Sequence, residues 1–375
     1  MMGPVLFGSI DKRRALLWPV VVALAFLLAA CGGGEPQSPT PEPTPTRDPA
    51  DRTNLAPLFA PPTEEEIAAV RADWASRHPV AAEWVVESTG EIDGAEVWVV
   101  SHVVDGNRHY GAVRFPRGYT PGSSLPVLVV NHGGLGGLDL DHTLSGLDQI
   151  FAGDSCLADN FLYVLPTFRS EPLNSQVVGY YVSEGDATYL DWDVDDAMAL
   201  LDGVLTNIPE ADAERVAVFG ESRGGGVSLL MGVRDERVKA VAVFYAPADF
   251  TMPYYELVLQ AMIDTGATDL DHLLMPLVLS YIDGTTSLAD TRFILLKHSP
   301  AQFASDMPSL QFHHGNEDYV IPIEHSERLN GILEGLGAGA PEYEYFTYEG
   351  GGHSIYTLPG SADRVSAFIC GELLP

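Results

Sequence analysis

The sequence predicts an α/β fold: a mostly parallel sheet with helices on both faces and a helical insertion. Three observations carry this. From Pro126 onward, short apolar runs alternate with helical patterns, the signature of a parallel sheet built from strand–helix units. Before that point, three strand-like segments are joined partly by a tight Asp105-Gly106-Asn107 turn, which predicts antiparallel strands opening the sheet. Finally, Gly220-Glu221-Ser222-Arg223-Gly224 sits between the apolar run 216–219 and a small-residue helix pattern. That is the strand, sharp turn and helix of a G-x-S-x-G elbow.

The elements follow in order. Lys12-Arg13-Arg14 precedes an apolar stretch, 15–30, ending in Leu28-Ala29-Ala30-Cys31-Gly32. The stretch has the length of a signal-peptide core and is short for a spanning helix. Residues 31–62 are rich in Pro, Thr and Gly, which predicts an extended tether without a core of its own. Residues 63–375 are read as one catalytic-size α/β domain. Thr63-Glu64-Glu65-Glu66 forms a capping box that opens a helix to about Arg77. Strands are expected at 84–87, 95–104, 108–115, 125–130, 216–219, 310–314 and 342–348, with a helix over 191–205.

A serine hydroxyl attacks a carbonyl only when exposed, strained and touched by a base. Ser222 at the elbow is the candidate nucleophile. The base and its orienting acid should follow in the order acid, then histidine. Asp318 lies in the turn after the 310–314 run, and His353 follows Gly350-Gly351-Gly352 after the 342–348 run. Each alone has a plain structural reading, as a turn former or a solvated loop histidine; the order and the strand ends unite them. The three glycines predict a mobile loop carrying the imidazole. Oxyanion donors are expected from the Arg223 N–H and from near Gly134, in the loop Asn131-His132-Gly133-Gly134-Leu135-Gly136-Gly137. Glycines let backbone N–H groups face a substrate there. A phosphate-cradling loop is the other reading of such a stretch, but no P-loop lysine follows.

Several of these pieces resemble the α/β-hydrolase superfamily and, within it, the catalytic domain of the prolyl oligopeptidase family. The carrying residues are His132-Gly133-Gly134, the helix start at 191–197, residues 220–225, Ser299-Pro300, the stretch His314-Gly315-Asn316-Glu317-Asp318-Tyr319-Val320-Ile321-Pro322, and Gly352-His353. The likeness runs from about Leu125 to the C-terminus and is also similar to dienelactone-hydrolase-type esterases. It implies an α/β-hydrolase fold and a serine hydrolase with no cofactor and no metal. The substrate would be a small-molecule ester or a peptide, cleaved by peptidase or esterase action. The alternative of another class is a non-catalytic binding protein on the same fold. The Leu28–Cys31 stretch resembles a bacterial lipobox, which implies a signal peptide at 1–30, lipidation of Cys31 and membrane anchoring outside the cytoplasm; an ordinary secretory signal is the other reading.

Charge and cysteines set further bounds. The chain carries 20 basic and 52 acidic residues, a net charge of −32. The first thirty residues hold three basic residues and one acidic, so removing them takes −32 to −34. Such a surface repels nucleic acid and anionic lipid, so neither is an expected partner. Cys156 and Cys370 remain after Cys31. In the family fold their helices share one face of the sheet, which leaves a disulfide or two buried thiols open.

Asp191, Asp193, Asp195 and Asp196 read as acids favoured at a helix N-terminus, or as a metal site. Asp139, Asp141 and His142 read as a solvated loop or a cation site. The apolar insertion 249–298 is expected to form a cap over Ser222 and line the acyl pocket; the other reading is added scaffold.

Overall fold

The computed structural model describes residues 53–152, 155–265 and 274–375. Cys31 and the signal-like stretch lie outside them. A nine-stranded sheet forms the centre, in the order β1-β2-β3-β6-β4-β9-β10-β11-β12. Its strands are β1 (Ala82–Ile92), β2 (Ala95–Val104), β3 (Asn107–Arg114), β4 (Leu125–Asn131), β6 (Leu162–Pro166), β9 (Ala211–Glu221), β10 (Val238–Phe244), β11 (Ser309–Gly315) and β12 (Tyr343–Tyr348). The first three run antiparallel and β3 pairs antiparallel with β6; every pair from β6 to β12 is parallel. The parallel strands are apolar on both faces because helices cover both. A small second sheet, β5 (Leu138–Asp139), β7 (Pro172–Ser175) and β8 (Gly179–Val182), was not foreseen. Its strands, two to four residues long, are too short for an alternation signal.

One face buries Val194, Leu200, Val227, Leu230 and Leu329. These come from α4 (Asp191–Asn207), α5 (Arg223–Arg234) and α9 (Glu324–Leu336). The other buries Leu140, Leu144, Val365 and Ile369, from α2 (Leu140–Ile150) and α10 (Ser361–Leu373). On that second face Cys156, in α3 (Ser155–Asn160), is disulfide-bonded to Cys370, across 214 residues of sequence.

Two expectations need correction. The packed domain begins inside the 31–62 stretch expected to be a tether. Leu55, Leu58 and Phe59 are buried in the first core, and Arg292 holds the backbone oxygens of Pro57, Leu58 and Ala60 at 2.9, 3.0 and 2.9 Å. Proline-rich composition hid three apolar anchors. Helix α1 (Glu64–Ser76) follows with both halves of its capping box formed.

The insertion, in turn, is scaffold wherever it is described. Its helices α6 (Pro253–Thr265), α7 (Leu274–Ile282) and α8 (Leu288–Lys297) put Tyr255, Leu259, Leu274 and Val278 into the same apolar cluster as Leu55 and Trp74. None of its described residues lines the cleft at Ser222. Its apolar side covers the helical layer instead, which satisfies the same need to bury area.

Candidate active site

Strand β4 connects toward β6 on one side, and β9 lies on its other side. The carboxyl ends of β4 and β9 therefore flank a topological switch point, where open α/β sheets bind ligands. Ser222 follows β9 there with φ +53°, in the left-handed region that non-glycine residues rarely occupy. The turn needs its flanking glycines for space. A Cβ on Gly224 would stand 2.0 Å from the Asn131 carbonyl oxygen, and one on Gly220 2.2 Å from that of Gly224.

His353 Nε2 lies 3.0 Å from Ser222 Oγ, and His353 Nδ1 lies 2.7 Å from Asp318 Oδ2. The turn-former reading of Asp318 also holds, through its other oxygen. Oδ1 accepts from the N–H groups of Val320 and Ile321 at 2.8 and 3.0 Å. Burial pushes Asp318 up, but His314, His353 and the Val320 N–H together hold it well below the usual carboxylate range. It stays an anion that fixes the imidazole tautomer with the free Nε2 toward serine.

The histidine loop is pinned by hydrogen bonds, against the expectation of mobility. Glu317 N–H donates to the Gly351 oxygen at 2.8 Å, Gly350 N–H to Asn316 Oδ1 at 2.8 Å, and Gly352 N–H to Thr357 Oγ1 at 3.0 Å. The glycines allow this close packing: a Cβ on Gly315 would stand 2.2 Å from the Gly351 oxygen.

The cleft beside Ser222 has a volume of about 640 Å³. Gly133, Gly134, Glu221, Tyr245, Val320 and Tyr356 are among its walls, and among the described residues no lysine or arginine is. Gly134 sits at φ +71°. The side chain of Arg223, not foreseen as functional, turns away from the cleft and is buried. It donates to the Gly134 oxygen at 3.0 Å, to Glu171 at 2.5 Å and to Asp193 at 2.9 Å. One residue thus places its backbone at the elbow and its side chain on the glycine loop. His132, just before that loop, is kept neutral: burial pulls its pKa down to about 4.

The acids of α4 stand at the helix start: Asp191 and Asp193 lie in its first turn, and Asp193 accepts from the Leu190 N–H at 2.7 Å, but all four acids are also paired with cations. Asp191 pairs with Arg77 and Lys297, Asp193 with Arg223, Asp195 with Arg77 and Arg234, and Asp196 with Arg169. Among the described residues no group of three or more His, Cys, Asp or Glu is placed to hold a metal. Asp139 caps α2 by accepting from the His142 N–H at 3.1 Å. Asp141 binds Ser175 Oγ at 2.6 Å and the Gln176 N–H at 2.7 Å.

Fold and site together define a serine hydrolase of the α/β-hydrolase fold. The chain belongs to the prolyl oligopeptidase family, whose model matches residues 180–369. No curated protein sequence matches it. Among solved structures it is similar to acetyl xylan esterase 1 from a Thermoanaerobacterium species, with a TM-score of 0.58 and 20% identity over 84% of this chain and 95% of that one. An acetyl xylan esterase from a Paenibacillus species gives 0.53 and 18%, over 85% and 99%. A dipeptidyl aminopeptidase IV candidate from Bacteroides ovatus gives 0.50 and 14%, over 77% and 43%. At these identities the likenesses show the fold. Its family makes the chain a serine hydrolase.

Proposed function

We propose that this protein hydrolyses an ester or amide bond through an acyl-enzyme on Ser222. His353 Nε2 takes the Ser222 proton as Oγ attacks the carbonyl carbon. The same proton then goes to the leaving oxygen or nitrogen. Water repeats the sequence in reverse order of groups and frees the acid. Asp318 remains charged throughout. The N–H groups of Arg223 and Gly134 are the proposed donors to the oxyanion, with Arg223 holding the Gly134 loop from behind. The observation that carries this reading is the hydrogen-bond chain Ser222–His353–Asp318, at 3.0 and 2.7 Å. A cleft lined by Asp139 and Glu221, and by no lysine or arginine among the described residues, favours neutral or cationic substrates over anionic ones.

The test is turnover of p-nitrophenyl esters beside aminoacyl and prolyl p-nitroanilides. Ser222→Ala or His353→Ala should lower kcat ~10⁴–10⁶-fold, and Ser222→Ala should abolish fluorophosphonate labelling. Near-full hydrolysis by Ser222→Ala would refute the assignment. The relative rates on the two substrate sets decide between esterase and peptidase.

The proposed location is outside the cytoplasm, on a membrane, through lipid on Cys31. Leu28-Ala29-Ala30-Cys31 supports it, as does the Cys156–Cys370 disulfide, a bond that persists in oxidising compartments. No helix among the described residues is long and apolar enough to cross a membrane. Mass spectrometry of the mature protein would find a lipid-modified Cys31 as its N-terminus.

A further inference from the structure

Ser222 is not the only strained residue at this edge of the sheet. Tyr245, directly after β10, has φ +37°. For a bulky aromatic residue this is a real outlier, held only where the surroundings over-determine it. Its N–H donates to the His313 oxygen at 2.8 Å, while the Ser222 N–H donates to the Phe244 oxygen at 3.0 Å. The two strained residues therefore stand side by side, each just past the end of one of two paired strands. The tyrosine is 2% exposed.

That backbone turn decides where the side chain goes. The Tyr245 ring lies against the His353 imidazole, centroids 4.3 Å apart and planes tilted by 48°. Its hydroxyl donates to Glu221 Oε2 at 2.5 Å. Glu221 is the residue before the nucleophile. Ile355, two residues past His353, lines the same cleft. One side chain thus touches both the elbow and the imidazole. Nothing in the hydrolytic steps above uses it.

We infer that Tyr245 and Glu221 form a positioning pair that sets the His353 ring against Ser222. The ring of Tyr245 is the floor on which the imidazole sits. The bond to Glu221 fixes that floor to the same turn that carries the nucleophile. Ser222 and His353 are 131 residues apart in sequence, and this bond locks their relative placement at the site itself. The inference rests on the hydrolytic reading of Ser222 and His353.

The test uses the full chain and a small p-nitrophenyl ester. Tyr245→Phe keeps the ring and deletes the hydroxyl; Glu221→Leu deletes both acceptor oxygens. Each should lower kcat ~10–100-fold with KM within about twofold, because small misplacements of reacting groups cost rates of this order while ground-state binding is untouched. The double variant should be no slower than the slower single one, since both break one bond. A mere packing role would lower the melting temperature and leave kcat alone. Wild-type kcat in Tyr245→Phe, or losses that multiply in the double variant, would overturn the inference. Should Tyr245→Phe not fold, Glu221→Leu breaks the same bond from the cleft side, and wild-type kcat there overturns it equally. Ser222→Ala separates the two levels. If it stays active, the hydrolytic reading itself fails. If it is inactive while Tyr245→Phe is normal, only the positioning pair fails.

Discussion

Replacing Arg223 by methionine keeps an unbranched side chain and removes the guanidinium, whose Cζ lies 4.8 Å over the Phe168 ring and 5.6 Å over that of Tyr189. The side chain is 2% exposed, and its two carboxylate partners, Glu171 and Asp193, are 9% and 0% exposed. Four hydrogen bonds vanish, two to carboxylates and two to the oxygens of Gly134 and Thr188. Both acids are left buried without that cation. Breaking a buried pair from one side costs ~3–5 kcal/mol. In a domain of this size that is a fall in Tm of roughly 5–10 °C at about pH 8. The sign of the pH dependence follows from the carboxyls. Burial already raises Asp193 to about 6 against the pull of Arg223, and burial raises Glu171 as well. Without the guanidinium both rise further. A carboxyl whose folded pKa is raised contributes stability at low pH that is lost as pH rises through the folded value. The variant's deficit should therefore be largest at about pH 8 and shrink toward about pH 5.5. Parallel unfolding of wild type and variant at both values measures it, and adding Asp193→Asn should recover part of the loss. A deficit below about 1 kcal/mol at pH 8, or one that grows on acidification, would refute the reasoning.

Cys370→Ser should cost about 5 kcal/mol in non-reducing denaturant titrations, because the bond closes a loop of over two hundred residues; two titratable thiols in the unfolded wild-type domain would contradict the cross-link. Acidification should destabilise the wild type. Burial first, and nearby cations or histidines next, take His102, His313 and His325 down to about 3, and His109 and His132 to about 4. The unfolded chain then binds more protons below about pH 6.5, so stability falls from there toward acid, by up to ~1.4 kcal/mol per pH unit for each histidine. Asp193 and Asp196, raised to about 6 mainly by burial, act in the opposite direction but are outnumbered; a stability that is flat or rising from pH 6.5 to about 4.5 would count against the buried neutral histidines. Tyr356→Ala in the cleft wall should change relative rates across graded esters by ~10–200-fold at most. Tyr254→Ala and Leu277→Ala, in the insertion, should leave those ratios alone, and the opposite pattern would make the insertion the pocket wall.

What could be read from the sequence was whatever rests on local backbone chemistry. The capping box at Thr63, the hairpin at Asp105-Gly106 and the elbow at Ser222 each require particular residues within four or five positions, so composition reveals them. Asp318 and His353 were legible because they end strands, and strands are periodic. Residues whose role depends on what faces them from far along the chain were not. Arg223 looked like the variable position of a G-x-S-x-G turn, and only tertiary packing shows its side chain bound to Asp193 and Glu171. The four aspartates of α4 carried no sign that Arg77, Arg169, Arg223, Arg234 and Lys297 would converge on them from other elements. The insertion misled for a related reason. Its apolar content fixes that it must cover something, but hydrophobic burial has no direction, and the buried Leu55, Leu58 and Phe59 lay hidden in a proline-rich stretch. Tyr245 could have been marked as the residue ending the strand beside the nucleophile's. What singles it out, a positive φ and a ring against the imidazole, exists only once β9, β10 and the histidine loop are assembled. Function in this chain is written locally at the elbow and non-locally in everything that holds the elbow's partners in place.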